Sequence, residues 1–468
     1  MLCLGLRSAG FSQSLEEYLK VAAENNPELK AYFNDYLAAL EKVPQAGALP
    51  DPELSMGFFI QPMERFMGNQ QADIQLMQMF PWFGILKTQK DEAGKMALAR
   101  YELFQEAKYR LYYQVKSSWY QLYKLEEEIR ITKENLDILR QYERLALIRF
   151  QTSGTQAGPA SGSSTRPEAS SMSSNSPVPS TASMGGMSAG VSSSTSGKTG
   201  SKTGSSMGTS ASMSGGGSGM TDVLRVRIQI KELENTLALL EDSRQPIKAE
   251  FNLWLNRDPN EQINIADSLS ASLVSWERQV LLDSITQNNP MLKMLDAEEQ
   301  VYEVQKKMSL LEGRPMLGAG VNYMPFTPRP DNGMNMAGND MVMPMVKLTI
   351  PIYRKKYNAL QKEAELKQLA VQQRKENTVN QLTTQWYAAL RDLEDARRRT
   401  KLYSEQTDLA RQTLSLLMTS YATDGRDFED VLAVQQQLLD YQLKLITSII
   451  DQHITIAGLE NLAATELN

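Results

Sequence analysis

Two periodicities divide this chain. Leu54, Met56, Phe58 and Ile60 alternate with Glu53, Ser55 and Gly57, and Ile74 and Leu76 alternate with Asp73 and Gln75. A period of two sends successive side chains to opposite faces, so strands are expected over about 53–61 and 71–80. The alternation returns with Leu317, Ala319, Val321 and Tyr323 against Gly318, Gly320 and Asn322, and with Val346, Leu348 and Ile350 against Lys347 and Thr349. That predicts strands over about 316–324 and 341–350. Elsewhere the pattern is helical and long. No proline interrupts Lys87 to Thr152 or Lys355 to Thr423. At about 1.5 Å per residue, the first of these stretches would reach on the order of 100 Å. Leu402, Leu409 and Leu416 recur every seven residues, and Val431, Leu438 and Leu445 interleave with Val434 and Tyr441 on the next helix. Such seams predict helices packed on helices. Helices are expected over about 85–152, 221–256, 355–423 and 428–465. A narrow seam leaves most of each helix polar, which suits a wall wet on both sides; an ordinary coiled-coil rod explains the heptads equally well.

The pattern is written twice. Asn25-Asn-Pro-Glu-Leu-Lys30 returns as Asn288-Asn-Pro-Met-Leu-Lys293, and Pro52-Glu-Leu-Ser-Met-Gly57 as Pro315-Met-Leu-Gly-Ala-Gly320. Phe80-Pro81-Trp82-Phe83 answers Ile350-Pro351-Ile352-Tyr353, Trp119-Tyr120 answers Trp386-Tyr387, Phe150 to Gly154 answers Tyr421 to Gly425, and Asp222-Val-Leu224 answers Asp430-Val-Leu432. Matches preserved in order divide the chain into a first repeat, 14–270, and a second, 271–468, each a helix, two strands and two long helices. Residues 155–219 interrupt the first repeat with a Ser/Gly/Thr-rich, Met-bearing insertion, too poor in apolar residues to fold and expected to be disordered. The second repeat crosses the equivalent turn in a few residues, from Gly425 to Asp430, which puts the insertion at a hairpin tip.

Composition narrows function mainly by exclusion. Cys3 is the only cysteine and His453 the only histidine, so a disulfide framework, a Cys/His zinc cluster and a Ser/His/Asp triad are excluded by inventory. No Gly-x-x-x-x-Gly-Lys-Ser/Thr loop occurs to cradle a nucleotide. A formal charge of -6 without a basic block argues against nucleic acid as a partner. Residues 1–13 read as the remnant of a secretory signal peptide. No apolar run of about 18 or more residues is present, so membrane crossing would require strands closed into a barrel. Four strands per chain are too few to enclose a wide lumen, and closure would take several chains.

The duplicated Asn-Pro helix, Leu49-Pro-Asp-Pro-Glu-Leu54 before the first strand, Phe80-Pro-Trp-Phe-Gly84 at the entry to the long helix, and the repeated helix-turn segments together resemble the TolC family of outer-membrane efflux proteins, over nearly the whole chain apart from the insertion. The resemblance implies a mainly α fold with a small β part. Long antiparallel coiled-coil helices would form an α-barrel, and four strands per protomer would enter a trimeric twelve-stranded transmembrane β-barrel. It implies a homotrimer in outer-membrane lipid of a Gram-negative bacterium, with a periplasmic helical extension. It further implies a periplasmic adaptor (membrane fusion protein) and an inner-membrane pump of the RND type as partners, no cofactor, and no catalytic chemistry of its own. In that family, polar links between helix-turn-helix tips hold the periplasmic end shut. The matching positions are Tyr421, Arg426 and Asp430 in the second repeat and Thr221 and Asp222 in the first. Exposed links of this kind contribute only about 0–1 kcal/mol each, so a docking partner could replace them; ordinary capping of the tips is the alternative. Ala433 stands where the family often has a second inward aspartate.

Methionine is the last unusual feature. Met172, Met184, Met187, Met207 and Met213 lie in the insertion with nothing apolar to pack on. Met341, Met343 and Met345 share a phase with Lys347, so if Val346 and Leu348 face lipid these three look into a lumen. Thioethers are soft ligands suited to Cu(I) and Ag(I), which makes copper or silver efflux a motivated expectation; gap-filling hydrophobes are the alternative. Export of drugs or proteins through the same type of duct, and a soluble periplasmic coiled-coil scaffold, are the competing functions.

Overall fold

The computed structural model describes residues 14–65, 68–155, 218–265, 269–270, 278–331, 334–336, 338–424 and 428–465. By internal contacts the chain divides into one unit of residues 1–137 and 231–468 and a second of residues 138–230.

In the first unit, α1 (Leu15–Asn25) breaks into α2 (Pro27–Ala46) at Asn26. Pro27 has no N–H to leave unpaired in the first helical turn. Asn26 Oδ1 accepts from Leu29 N at 3.1 Å, and its Nδ2 donates at 3.0 Å to the carbonyl of Trp254, the last residue of α4 (Ser218–Trp254). The second repeat builds the same joint between α5 (Arg278–Asn288) and α6 (Pro290–Glu312). Asn289 Oδ1 accepts from Met291 N at 3.0 Å, and Nδ2 donates at 3.0 Å to Leu462 O, near the end of α8 (Phe428–Ala463). Each joint sits beside a core. Tyr18, Leu19 and Ala22 pack with Trp119 and Phe251 in one, and Leu281, Ile285 and Leu292 pack with Trp386 and Leu459 in the other. The duplication read in the sequence is thus a duplication of packing, with one tryptophan from each long helix, α3 (Ile85–Thr155) and α7 (Arg354–Asp424).

The strands form an antiparallel sheet in the order β1 (Glu53–Arg65), β2 (Gly68–Phe80), β3 (Met316–Met324), β7 (Met341–Thr349). The first hairpin extends beyond the alternation, because Met63, Glu64 and Arg65 resume pairing with Gln70, Asn69 and Gly68 after an irregularity following Phe58. Between β3 and β7 lie short strands that the sequence pattern does not announce: β4 (Phe326–Thr327), which pairs with β2, and β5 (Arg329–Asp331) paired with β6 (Met334–Met336).

The packing seam of α7 is displaced from the leucine heptad. Leu402, Leu409 and Leu416 are exposed, Leu416 by 72%. In the later part of α7 the buried positions are Leu393, Ala396, Thr400, Thr407, Ala410 and Tyr421, also at heptad spacing, and α8 meets this seam where Thr400 contacts Ser448 and Gln452. On α8 the seam is where the pattern puts it, with Val431 and Leu438 buried. Small and hydroxyl-bearing residues hide the α7 seam from a search for large hydrophobes, since close approach of two helices favours short side chains.

In the second unit, the ends of α3 and α4 bury Leu139, Tyr142 and Ala146 together with Val223, Val226 and Ile230. Arg227 Nε donates to Glu143 Oε1 at 2.5 Å, and Gly219 lies against Phe150, with no room between them for more than a slight Cβ contact.

Candidate channel wall and gate

The register of the sheet sorts its side chains into two unlike faces. On one, Leu54, Met56 and Phe58 of β1 continue through Ile74 and Leu76 of β2 and Leu317, Val321 and Tyr323 of β3 to Val342, Val346 and Leu348 of β7. This face is apolar and largely open, reaching 83% exposure at Val346. The opposite face carries Glu53, Ser55, Asp73, Gln75, Asn322 and Lys347. Among the described strands, β1 and β7 are each paired on one side only. A one-residue slip would exchange the two faces, so the register is fixed by the contrast between them.

Met56 of β1 lies on the apolar face, while on β2, β3 and β7 the methionines lie on the polar one. Met341, Met343 and Met345 lie there, opposite Met324, Asn322 and Gly320 of β3. So do Met316 at the start of β3 and Met77 and Met79 on β2. These last two are functional candidates that the alternation of apolar and polar residues does not single out, because methionine counts as apolar in such a pattern; the signal is in the cross-strand register.

The gate positions fall into two groups. Tyr421 is 5% exposed and its ring lies 4.8 Å from that of Phe428, so it packs within its own hairpin rather than standing free at the tip. Asp430 is exposed in the first turn of α8 beside Glu429, where the partial positive charge of a helix N-terminus favours a carboxylate. Thr221, exposed, and Asp222, half-buried, occupy the opening of α4 in the second unit. Arg426 and the insertion methionines Met172, Met184, Met187, Met207 and Met213 lie outside the described residues.

His453 is engaged structurally. Nε2 lies 2.9 Å from Ser270 O and so donates to it, and the ring packs 5.2 Å from Tyr120. Burial holds its pKa below the ordinary histidine value, and pushes the neighbouring Tyr120 phenol up to about 12. Nearby, Lys116 Nζ and Glu460 Oε2 pair at 2.6 Å between α3 and α8. Among the described residues no group of three or more His, Cys, Asp or Glu side chains could hold a metal ion. No described helix is long and apolar enough to cross a membrane.

No protein-family profile matches the sequence, and no curated protein matches it. Solved structures do. The outer-membrane channel OprN superposes with a TM-score of 0.68 at 11% identity, over 96% of this chain and 89% of that one. This chain has the TolC-type channel fold. CusC gives a TM-score of 0.68 at 13% identity over 96% and 92% of the two chains. The outer-membrane protein VceC of Vibrio cholerae gives 0.67 at 13% over 97% of both. Coverage this complete at such low identity means that the fold is kept by pattern and register, not by particular side chains. In the channel fold, the two-faced sheet is the segment available to line a barrel, and the long helices are those available to line a tunnel.

Proposed function

We propose that the chain is one protomer of a homotrimeric outer-membrane exit duct in a tripartite efflux system, a passive channel whose transport energy comes from a periplasmic adaptor and an RND-type inner-membrane pump. The observation that carries this reading is the sheet: an apolar face open to its surroundings, a polar face behind it and, among the described strands, two edges each paired on one side only. Such a sheet is unstable in water and stable only when its edges pair with other copies and its apolar face meets lipid. The heptad of Leu402, Leu409 and Leu416, exposed among the described residues, supports the same arrangement, because an open leucine seam suits a helix of the next protomer. Electron microscopy of the detergent-purified protein tests it: a threefold tube is expected, and a compact water-soluble monomer overturns it in favour of a periplasmic scaffold.

The cargo we propose is Cu(I) or Ag(I). Concentration of thioethers on the polar face of β2, β3 and β7 supports this, while a duct for drugs or proteins has no need of them. A deletion strain with lowered copper and silver tolerance and unchanged dye and detergent tolerance is expected; the reverse pattern transfers the duct to drug export. Removing residues 156–218 should leave trimer assembly intact, and loss of metal tolerance alone would assign capture to the insertion methionines.

A further inference from the structure

Every methionine of β2, β3 and β7 lies on the same face of the sheet, and two of them converge. β3 sets Gly318 opposite Met79 and Gly320 opposite Met77. A Cβ on Gly318 would lie 2.6 Å from Met79 Sδ and 3.4 Å from Met77 Sδ, so both sulfurs gather over a single glycine. A Cβ on Gly320 would lie 3.0 Å from Met77 Sδ. Across the trough that these glycines leave, β7 presents Met345 opposite Gly320 and Lys347 opposite Gly318. With any side chain at Gly318 the two thioethers could not occupy this place.

We propose that Met77 and Met79, joined by Met345 across Gly320, form a binding site for a soft monovalent cation, Cu(I) or Ag(I), on the polar face of the sheet. This deepens the soft-metal cargo reading and rests on it. Gap-filling by methionine accounts for sulfur above the glycines but not for its confinement to one face, since the large apolar residues on the other face of these three strands are leucine, isoleucine, valine and aromatic residues, with Gln78, Ala319 and Pro344 between them. A site of neutral thioethers binds a soft ion through polarisable sulfur without needing a carboxylate. The ammonium group of Lys347, on the strand beside it, opposes any cation there and keeps the ion from being held fast, as a conduction path requires binding that also releases.

The glycines supply the test. At Gly318 an added methyl meets Met79 Sδ, which can swing away, and Lys347 Cβ at 3.2 Å, which must give by a few tenths of an ångström, whereas at Gly320 it meets Leu76 O at 2.7 Å and disturbs strand pairing. Gly318→Ala is therefore expected to assemble normally while separating the sulfurs. The full chain, labelled at its methionine methyl groups, is titrated in detergent with silver nitrate in chloride-free buffer, with resonances assigned through Met77→Leu, Met79→Leu and Met345→Leu. Shifts at Met77 and Met79 are expected, weakened by about tenfold or more in Gly318→Ala and strengthened in Lys347→Gln. Size-exclusion chromatography confirms assembly of each variant. Silver that shifts only other methionines, or that shifts Met77 and Met79 equally in Gly318→Ala, overturns the site. Silver tolerance of the deletion strain separates the two readings: tolerance retained in the presence of these shifts removes the cargo and leaves the site, and tolerance lost in their absence removes the site and leaves the cargo.

Discussion

Asn26 and Asn289 each cap one helix and tie it to the end of another, and both are nearly buried. Asn26→Ala removes a cap and leaves Trp254 O without its donor, so a loss of about 1–2 kcal/mol is expected in denaturant or thermal unfolding. Asn26→Asp keeps the cap acceptor but not the Nδ2 donor and should fall between. The repeated Asn-Pro motif was legible as a repeat; that its amide serves two partners was not, because the second partner lies 228 residues away for Asn26 and 173 for Asn289. His453 gives a pH dependence. Burial depresses its folded pKa, so the unfolded chain takes up a proton at a higher pH than the folded protein does. Its contribution is fully present above an unfolded pKa of about 6.5 and is lost as pH falls through that value towards the folded one. Melting temperature should therefore drop on acidification below about pH 6.5, with a shallower slope in His453→Gln; equal slopes would assign the acid sensitivity elsewhere.

At the level of elements, the seam between α7 and α8 mixes polar with apolar layers. Gln452, 1% exposed, donates through Nε2 to Thr400 Oγ1 at 2.6 Å, while its Oε1 has no partner among the described groups. Nε2 also reaches Ala396 O at 3.5 Å; removing an unsatisfied acceptor offsets much of the loss of these two bonds, so Gln452→Leu should cost no more than about 1 kcal/mol. Ile450→Ala, at an equally buried apolar position, should cost about 2–5 kcal/mol. These two helices show where sequence reading reaches and where it stops. Strand and helix types follow from period, and the α8 seam follows from its large hydrophobes. The α7 seam does not, because Ala396, Thr400, Thr407 and Ala410 are small, and the leucines that draw attention point away from α8. Tyr421, at a candidate gate position, has in Phe428, seven residues on, a neighbour to stack on that the sequence pattern does not announce. Convergence of Met77 and Met79 is a property of register, which alternation alone leaves open.

For the whole molecule, the deciding question is what covers the apolar face of the sheet. A soluble scaffold would have to bury it against protein, and a duct would leave it against lipid. The two settings respond differently to charge. Val346, in the middle of β7, is 83% exposed on the apolar face, and Met343, 40% exposed, belongs to the opposite one. In lipid, an arginine near the midplane of an outward position costs about 2–4 kcal/mol, whereas on a water-filled interior it costs little. Val346→Arg should therefore sharply reduce the trimer recovered from the outer-membrane fraction, and Met343→Arg should leave recovery close to that of the unaltered chain. Both substitutions are open to water in an isolated chain, so exposure alone predicts no difference between them. A duct demands the asymmetry because three sheets joined edge to edge have an outside and an inside. Equal recovery of both variants, from membrane or from the soluble fraction, would mean that the sheet never meets lipid and that its free edges are covered by some other partner.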